Sequence, residues 1–294
     1  MSAATLPVPT ASAAPEAPRR RRRGLGNRPG FLVYGLLTAF VLGSSYPLWW
    51  SFVVASGSNA TRAETLPLIP GENFVRNALT VLDAVPFWLA VGNSLIVASV
   101  ITLSVVTFGT LAGYAFAKLR FKGRDGLMVS VIATMAIPTQ LGIIPLFISM
   151  RQLGWTGELG AIIVPMLVTA FGVFFMRQYL VDVIPDELIE AARMDGANQI
   201  RTFLHVAVPA ARPAMAILGL FTFMLAWTDY LWPLIVAPQN PTLQVALSQL
   251  QSGYYVDYSV VLAGAVLASL PLLVLFVVAG RQLIGGIMQG AVKG

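Results

Sequence analysis

The sequence predicts an all-α integral membrane protein with six transmembrane helices and both termini in the cytoplasm. Three observations carry that prediction. Of the 294 residues, 56% are hydrophobic and only 11% charged, against roughly 25% charged residues in a soluble domain, and the mean hydropathy is +0.75. Six apolar runs approach the ~20 residues a helix needs to cross a bilayer. The basic residues gather on one side of those runs.

Residues 1–28 are rich in Ala, Pro and Ser and close on the arginine run 19–23. Such a composition buries too little apolar surface to order itself. Next to a transmembrane run, the arginines read as a cytoplasmic anchor on anionic lipid rather than a nucleic-acid patch. The first apolar run is membrane-length and no clear cleavage site follows it, which argues against a secretory signal. Residues 29–294 form one transmembrane domain, with spans near 31–55, 88–117, 127–150, 160–180, 213–235 and 260–280. The second is long enough to tilt or to extend past the bilayer. Short alternating strands are absent, which argues against a β-barrel. With the N-terminus inside, only Arg62, Arg76 and Arg151 fall outside, leaving 16 of the 19 Lys and Arg residues inside, the asymmetry that sets orientation. The loop 182–212 is then cytoplasmic, and the loops 56–87 and 236–259 are external. The second external loop has no Lys or Arg and carries Gln244, Gln249, Gln251 and Tyr254, groups suited to a sugar or a polar protein surface.

The cytoplasmic loop has the most distinctive local chemistry. Pro185 can open a helix, Asp186 and Glu187 suit its positive end, and Gly196 supplies a left-handed stop. The interval predicts a helix of about three turns. Ala191 and Ala192 let another surface approach closely, and Glu190 and Arg193 lie one turn apart. A second segment, 199–208, runs to Pro209, and Pro213 opens the next apolar run. This is the pattern of a docking element for another protein.

Chemical motifs are otherwise scarce. No Gly-x-x-x-x-Gly-Lys-Ser/Thr phosphate loop occurs, nor any Gly-Lys pair. There is no Gly-x-Ser-x-Gly elbow, no His-Glu-x-x-His site and no cysteine. The single histidine, His205, is expected to be a packed loop residue. The chain is therefore expected to be neither an enzyme nor a holder of metal or cofactor. Asp229 is the one carboxylate well inside a span, where such groups face a cavity or a partner. It either lines a path and bonds a sugar hydroxyl, or pairs at a helix interface or caps a kink before Pro233. Trp227 and Tyr230 are candidate sugar-facing aromatics, whereas Trp232 is expected in an outer interfacial belt.

The series Glu190-Ala191-Ala192, Asp195-Gly196-Ala197, Phe203 and Val206-Ala207-Val208-Pro209 resembles the EAA loop of ABC importer permeases. Asn93-Ser94-Leu95, the stretch from Tyr114 to Arg124, Ile144-Pro145-Leu146-Phe147, Phe175-Met176-Arg177-Gln178-Tyr179 and the stretch from Trp227 to Leu234 fit the same family. The tail Gly290-Ala291-Val292-Lys293-Gly294 is similar to that of MalG-type carbohydrate permeases. The resemblance implies a type I ABC importer (MetI-like) permease fold in the bacterial cell membrane, the plasma or inner membrane. It implies as partners a MalF-like second permease, two ATPase subunits that hold ATP and Mg, and an extracellular solute-binding protein. It further implies that Glu190, Ala191, Ala192, Arg193, Asp195 and Gly196 couple to the ATPase and that Gly290 to Gly294 reach it. The loop containing Gln244, Gln249, Gln251 and Tyr254 would enter the receptor, with 244–253 as its tip. The substrate would be a di- or oligosaccharide, with glycerol phosphate or a monosaccharide as alternatives. Asp229 departs from the family's commoner asparagine. A secondary transporter would need paired mid-membrane charges and inverted repeats, and a lipid-active membrane enzyme a nucleophile and base; neither set is recognisable.

Overall fold

The computed structural model describes residues 30–58 and 69–291, with side chains as far as 278. The tail 1–28, Arg62, Val292, Lys293 and Gly294 lie outside the described residues, and Gly290 and Ala291 are the last backbone residues of the final helix. The chain divides into two units at Tyr46 and Pro47. Within the first, the described residues belong to helix α1 (Phe31–Ala55), and their side chains are exposed, including Phe31, Leu36 and Phe40.

The regular elements of the second unit are all helices among the described residues. Helix α2 (Phe74–Ala84) lies in the loop between the first two expected spans and was not anticipated. Its Asn77 donates from Nδ2 to the carbonyls of Ala55 (2.8 Å) and Gly57 (2.9 Å), satisfying acceptors that the end of α1 leaves open. Helix α3 (Phe87–Lys118) is central, packing against α7 (Ala170–Val183) and α10 (Val208–Thr228). Small residues permit this approach. A Cβ at Gly113 would stand 2.7 Å from both the Arg177 amide nitrogen and Met176 Cβ, and one at Gly109 would stand 3.2 Å from the Gly172 carbonyl carbon. Close backbone contact through small residues is how helices associate where lipid offers no hydrophobic contrast.

Several expected spans are interrupted. The third is a broken pair, α4 (Arg124–Met135) followed after a 90° bend by a 3-10 turn (Thr139–Gly142) and α5 (Ile143–Gln152). Pro138 sits at the bend and disfavours helical geometry in the residue before it. The fourth comprises α6 (Leu159–Ile163), a 3-10 turn (Val164–Met166) and α7. Thr169 restarts α7 by accepting the Gly172 amide at 3.1 Å.

The fifth span differs most from expectation. Residues 199–208 are not a separate segment, because α9 (Gln199–Thr202), a π-helical turn (Phe203–Ala207) and α10 run together through Pro209 and Pro213. The π turn absorbs the change of register, and Pro213 costs only the hydrogen bond to the Pro209 carbonyl. At ~1.5 Å per residue this helix exceeds a ~30 Å hydrocarbon core, so its first turns reach beyond the bilayer. It stops at Thr228, and α11 (Leu231–Val236) follows after a break at Asp229 and Tyr230. Helix α12 (Leu243–Ser248) lies within the loop 236–259, and α13 (Tyr258–Ala291) follows it. The loop is pinned to α3: Asn93 Nδ2 donates to the Pro241 carbonyl at 3.0 Å, and Ser94 Oγ accepts the Leu243 amide at 2.8 Å.

Candidate coupling surface and solute cavities

Helix α8 (Asp186–Met194) occupies the loop 182–212, slightly shorter than expected, with Pro185 as its N-cap rather than its first helical residue. Its C-terminus is closed by two bonds, Gly196 N to Arg193 O and Ala197 N to Ala192 O, both 3.0 Å. With Gly196 at φ 78° this is a Schellman cap, which fixes where the helix stops. Ile189, 3% exposed, anchors the buried face among Tyr114, Ile184 and Leu180. The opposite face presents Glu187, Leu188, Glu190, Ala191 and Met194. Glu190 and Arg193 do not pair; Arg193 instead lies where its charge reaches Tyr114.

Sequence reasoning missed the tie that holds α8. Lys118 Nζ, at the end of α3, bonds Asp186 Oδ1 at 2.8 Å. The Lys118 side chain is only 5% exposed and that of Asp186 75%. The hydrogen bond from Lys118, and then its charge, hold the Asp186 carboxyl below the usual aspartate range. One turn earlier, Tyr114 meets Phe203 of the π turn with ring centroids 5.3 Å apart. The last turns of α3 therefore hold both halves of the loop 182–212. His205 is not a packed loop residue; it is exposed on the π turn, with Nδ1 3.0 Å from the Arg201 carbonyl.

Towards the other end, three helix breaks meet in one cavity of about 510 Å³. Thr139 and Gln140 come from the bend after α4, Met166 and Thr169 from the break before α7, and Thr228 and Asp229 from the break after α10. Interrupted backbone is tolerated at membrane depth only inside protein or beside a hydrated cavity. The backbone amides of Tyr230, Leu231 and Trp232 lie beside the Asp229 carboxylate, at the residue just before Tyr230, where α11 begins. Trp232 does not belong to an interfacial belt. It is 4% exposed, and its Nε1 donates to the Ala161 carbonyl at 3.2 Å.

The three expected path residues do not share a site. Trp227 and Tyr230 line a second cavity, of about 450 Å³, away from the Asp229 lining. Trp227 is 1% exposed, stacks on Phe223 at 5.8 Å and donates from Nε1 to the Ala268 carbonyl at 3.2 Å. It shapes the wall rather than offering a free ring face. Gln244 and Gln251 face the same cavity from the loop, while Gln249 and Tyr254 point outwards. The loop's tip is accordingly 249–255 rather than 244–253, since Leu243, Val245 and Ala246 are buried. No cluster of His, Cys, Asp and Glu suited to a metal occurs among the described residues.

Residues 105–283 match the model of a family described as binding-protein-dependent transport system inner membrane component. The arabinooligosaccharides transport system permease protein AraQ of Halalkalibacterium halodurans is 34% identical over 71% of this chain and 75% of its own length. The lactose transport system permease protein LacG of Rhizobium radiobacter is 33% identical over 90% of this chain and 97% of its own. The sn-glycerol-3-phosphate transport system permease protein UgpE of Salmonella typhi is 31% identical over 71% and 78%. The crystal structure of a bacterial ABC transporter involved in import of the acidic polysaccharide alginate contains a similar chain, with a TM-score of 0.71, 27% identity and coverage of 85% of this chain and 94% of that one.

Proposed function

The chain belongs to the binding-protein-dependent transport system inner membrane component family, and from that premise we propose that it is the MalG-like permease of an importer for a di- or oligosaccharide. Its place in an ABC importer brings an ATPase and a solute-binding protein as partners. The finer assignments are our reading: a MalF-like second permease, two copies of the ATPase holding ATP and Mg, and both termini in the cytoplasm. Helix α8 supports this best, because it is capped at a fixed length, anchored by one buried isoleucine and tied to α3, with its small-residue face free. The groove of an ATPase seats Glu190, Ala191, Ala192, Arg193, Asp195 and Gly196, and the tail Gly290 to Gly294 reaches the same subunit. When the motor closes, α8 moves with it, and α3 carries the displacement to the helices whose breaks line the cavities. A ligand shifts such an equilibrium only through unequal contact with its states, and the exposed face of α8 is where that difference is applied. The tip residues Gln249 and Tyr254 meet the solute-binding protein.

The decisive variant is Glu190→Ala in the reconstituted complex. Sugar uptake should fall about tenfold or more, as expected for loss of a charged interfacial contact, while the permeases still insert and copurify. Undiminished uptake, or a purified complex without an ATPase, refutes the assignment.

A further inference from the structure

The second cavity combines two groups of residues that sequence reasoning assigned to separate jobs. Trp227 and Tyr230 come from the end of α10 and the break after it. Gln244, Ser248 and Gln251 come from α12 and the turn that follows, and Ser269 comes from α13. We propose that this cavity, at the foot of the second external loop, is a subsite for a neutral sugar in this subunit. The proposal rests on the sugar-import reading above and deepens it by naming the chemistry of the solute.

The lining contains no Lys, Arg, Asp or Glu. A phosphate or carboxylate leaving water would need a charged donor, and none is present. The polar groups instead suit hydroxyls. The carboxamides of Gln244 and Gln251 and the Tyr230 hydroxyl make no hydrogen bond within the chain, among the described residues. Each carboxamide both donates and accepts, as a hydroxyl requires of its partner. Ser248 Oγ donates to the Val245 carbonyl and Ser269 Oγ to the Val266 carbonyl, both at 2.7 Å, so each hydroxyl keeps its lone pairs for an incoming donor. Leu247, Val261, Ala265 and Leu272 give the apolar counterface that sugar C–H groups need. A volume of about 450 Å³ lies inside the range of small-ligand sites and suits a ligand of roughly disaccharide size.

The position gives the subsite a use. Gln244 sits on the segment that Asn93 and Ser94 pin to α3, and Gln251 on the exposed tip that follows it. A sugar leaving the solute-binding protein at that tip meets these carboxamides before it reaches the cavity lined by Asp229. A phosphorylated or uronic-acid solute finds no counter-charge here, so the subsite selects among the solute classes named for the relatives.

The absence of cysteine makes the test direct. In the reconstituted complex, uptake of lactose, arabinotriose and sn-glycerol 3-phosphate is first ranked. Ser269→Cys and, as an independent position, Gln251→Cys are then labelled on this chain with a polar thiol reagent, with Tyr254→Cys as an exposed control. The imported neutral sugar should slow labelling at 269 and 251 about fivefold and leave 254 unchanged, and sn-glycerol 3-phosphate should protect neither. Gln244→Ala and Gln251→Ala should each raise the KM of uptake about fivefold, the loss of one hydrogen bond. Normal sugar uptake with no protection and unchanged KM overturns the subsite alone. Protection by glycerol phosphate overturns its neutrality. Uptake of glycerol phosphate but of neither sugar overturns the sugar reading, and the subsite with it.

Discussion

The two ends of the helical bundle are built on opposite rules. At the end bearing α8, helices are closely seated: α3 ends at Lys118, the helix from Gln199 runs unbroken through two prolines, and Gly113 brings α7 against α3. At the other end three spans are interrupted beside the cavity that Asp229 lines, at Pro138, before Thr169 and at Asp229, while α3 and α13 pass the cavities unbroken. The contrast separates two demands. A lever needs continuous hydrogen-bonded backbone, whereas a solute path needs polar backbone and side chains that an unbroken helix would hide.

The harshest way to break this comparison is Gly113→Leu. The added side chain has no room against the α7 backbone, and overpacking of this kind costs about 2 kcal/mol or more. A markedly lower Tm of the purified complex is expected. Wild-type stability would show that the inner end is not rigidly seated.

Asp229 probes the broken end. Asp229→Asn keeps an oxygen for the amides of α11 and should leave uptake within about twofold of wild type, as caps of these two residues are nearly equivalent. Asp229→Leu removes the acceptor, at about 1 kcal/mol, and should lower both uptake and Tm. If the asparagine variant loses uptake while keeping its Tm, the charge serves the path and not the cap.

The smallest effect belongs to the tie between α3 and α8. Lys118→Met should cut uptake only about twofold, because one partner of the pair is exposed and exposed ion pairs are weak. The pH dependence has a definite sign. The folded carboxyl of Asp186 titrates below its ordinary value, so the tie is fully present above the ordinary aspartate range and is lost as pH falls through the lowered value. Uptake per ATP hydrolysed should hold constant from neutral pH down to the ordinary aspartate range in the wild type. An Asp186→Asn variant should start lower and show no such step.

How much was legible follows the same division. Helix α8 could be read almost residue by residue, since Asp186, Glu187 and Gly196 act within a turn or two of where they stand. Phe31–Ala55 and the span from Phe87 were found because membrane length is a local property of composition. Helix α2 was missed because its eleven residues are too few to register as a span. The continuity through Pro209 and Pro213 was missed because proline usually stops a helix, and nothing local announces a π turn that takes up the slack. Trp232 was misplaced because an aromatic near a span end looks the same whether it faces lipid or the Ala161 carbonyl.

By itself the sequence determined the class of the protein, its helical character and the local build of helix α8, because these depend on hydropathy and on bonds between near neighbours in the chain. Only the tertiary structure decided that Lys118 holds Asp186, that three separate breaks share one cavity, and that Trp227 and Tyr230 stand with Gln244 and Gln251 rather than with Asp229. Those are meetings of residues tens of positions apart, created by helix packing, and no local pattern of side chains encodes which break will face which cavity.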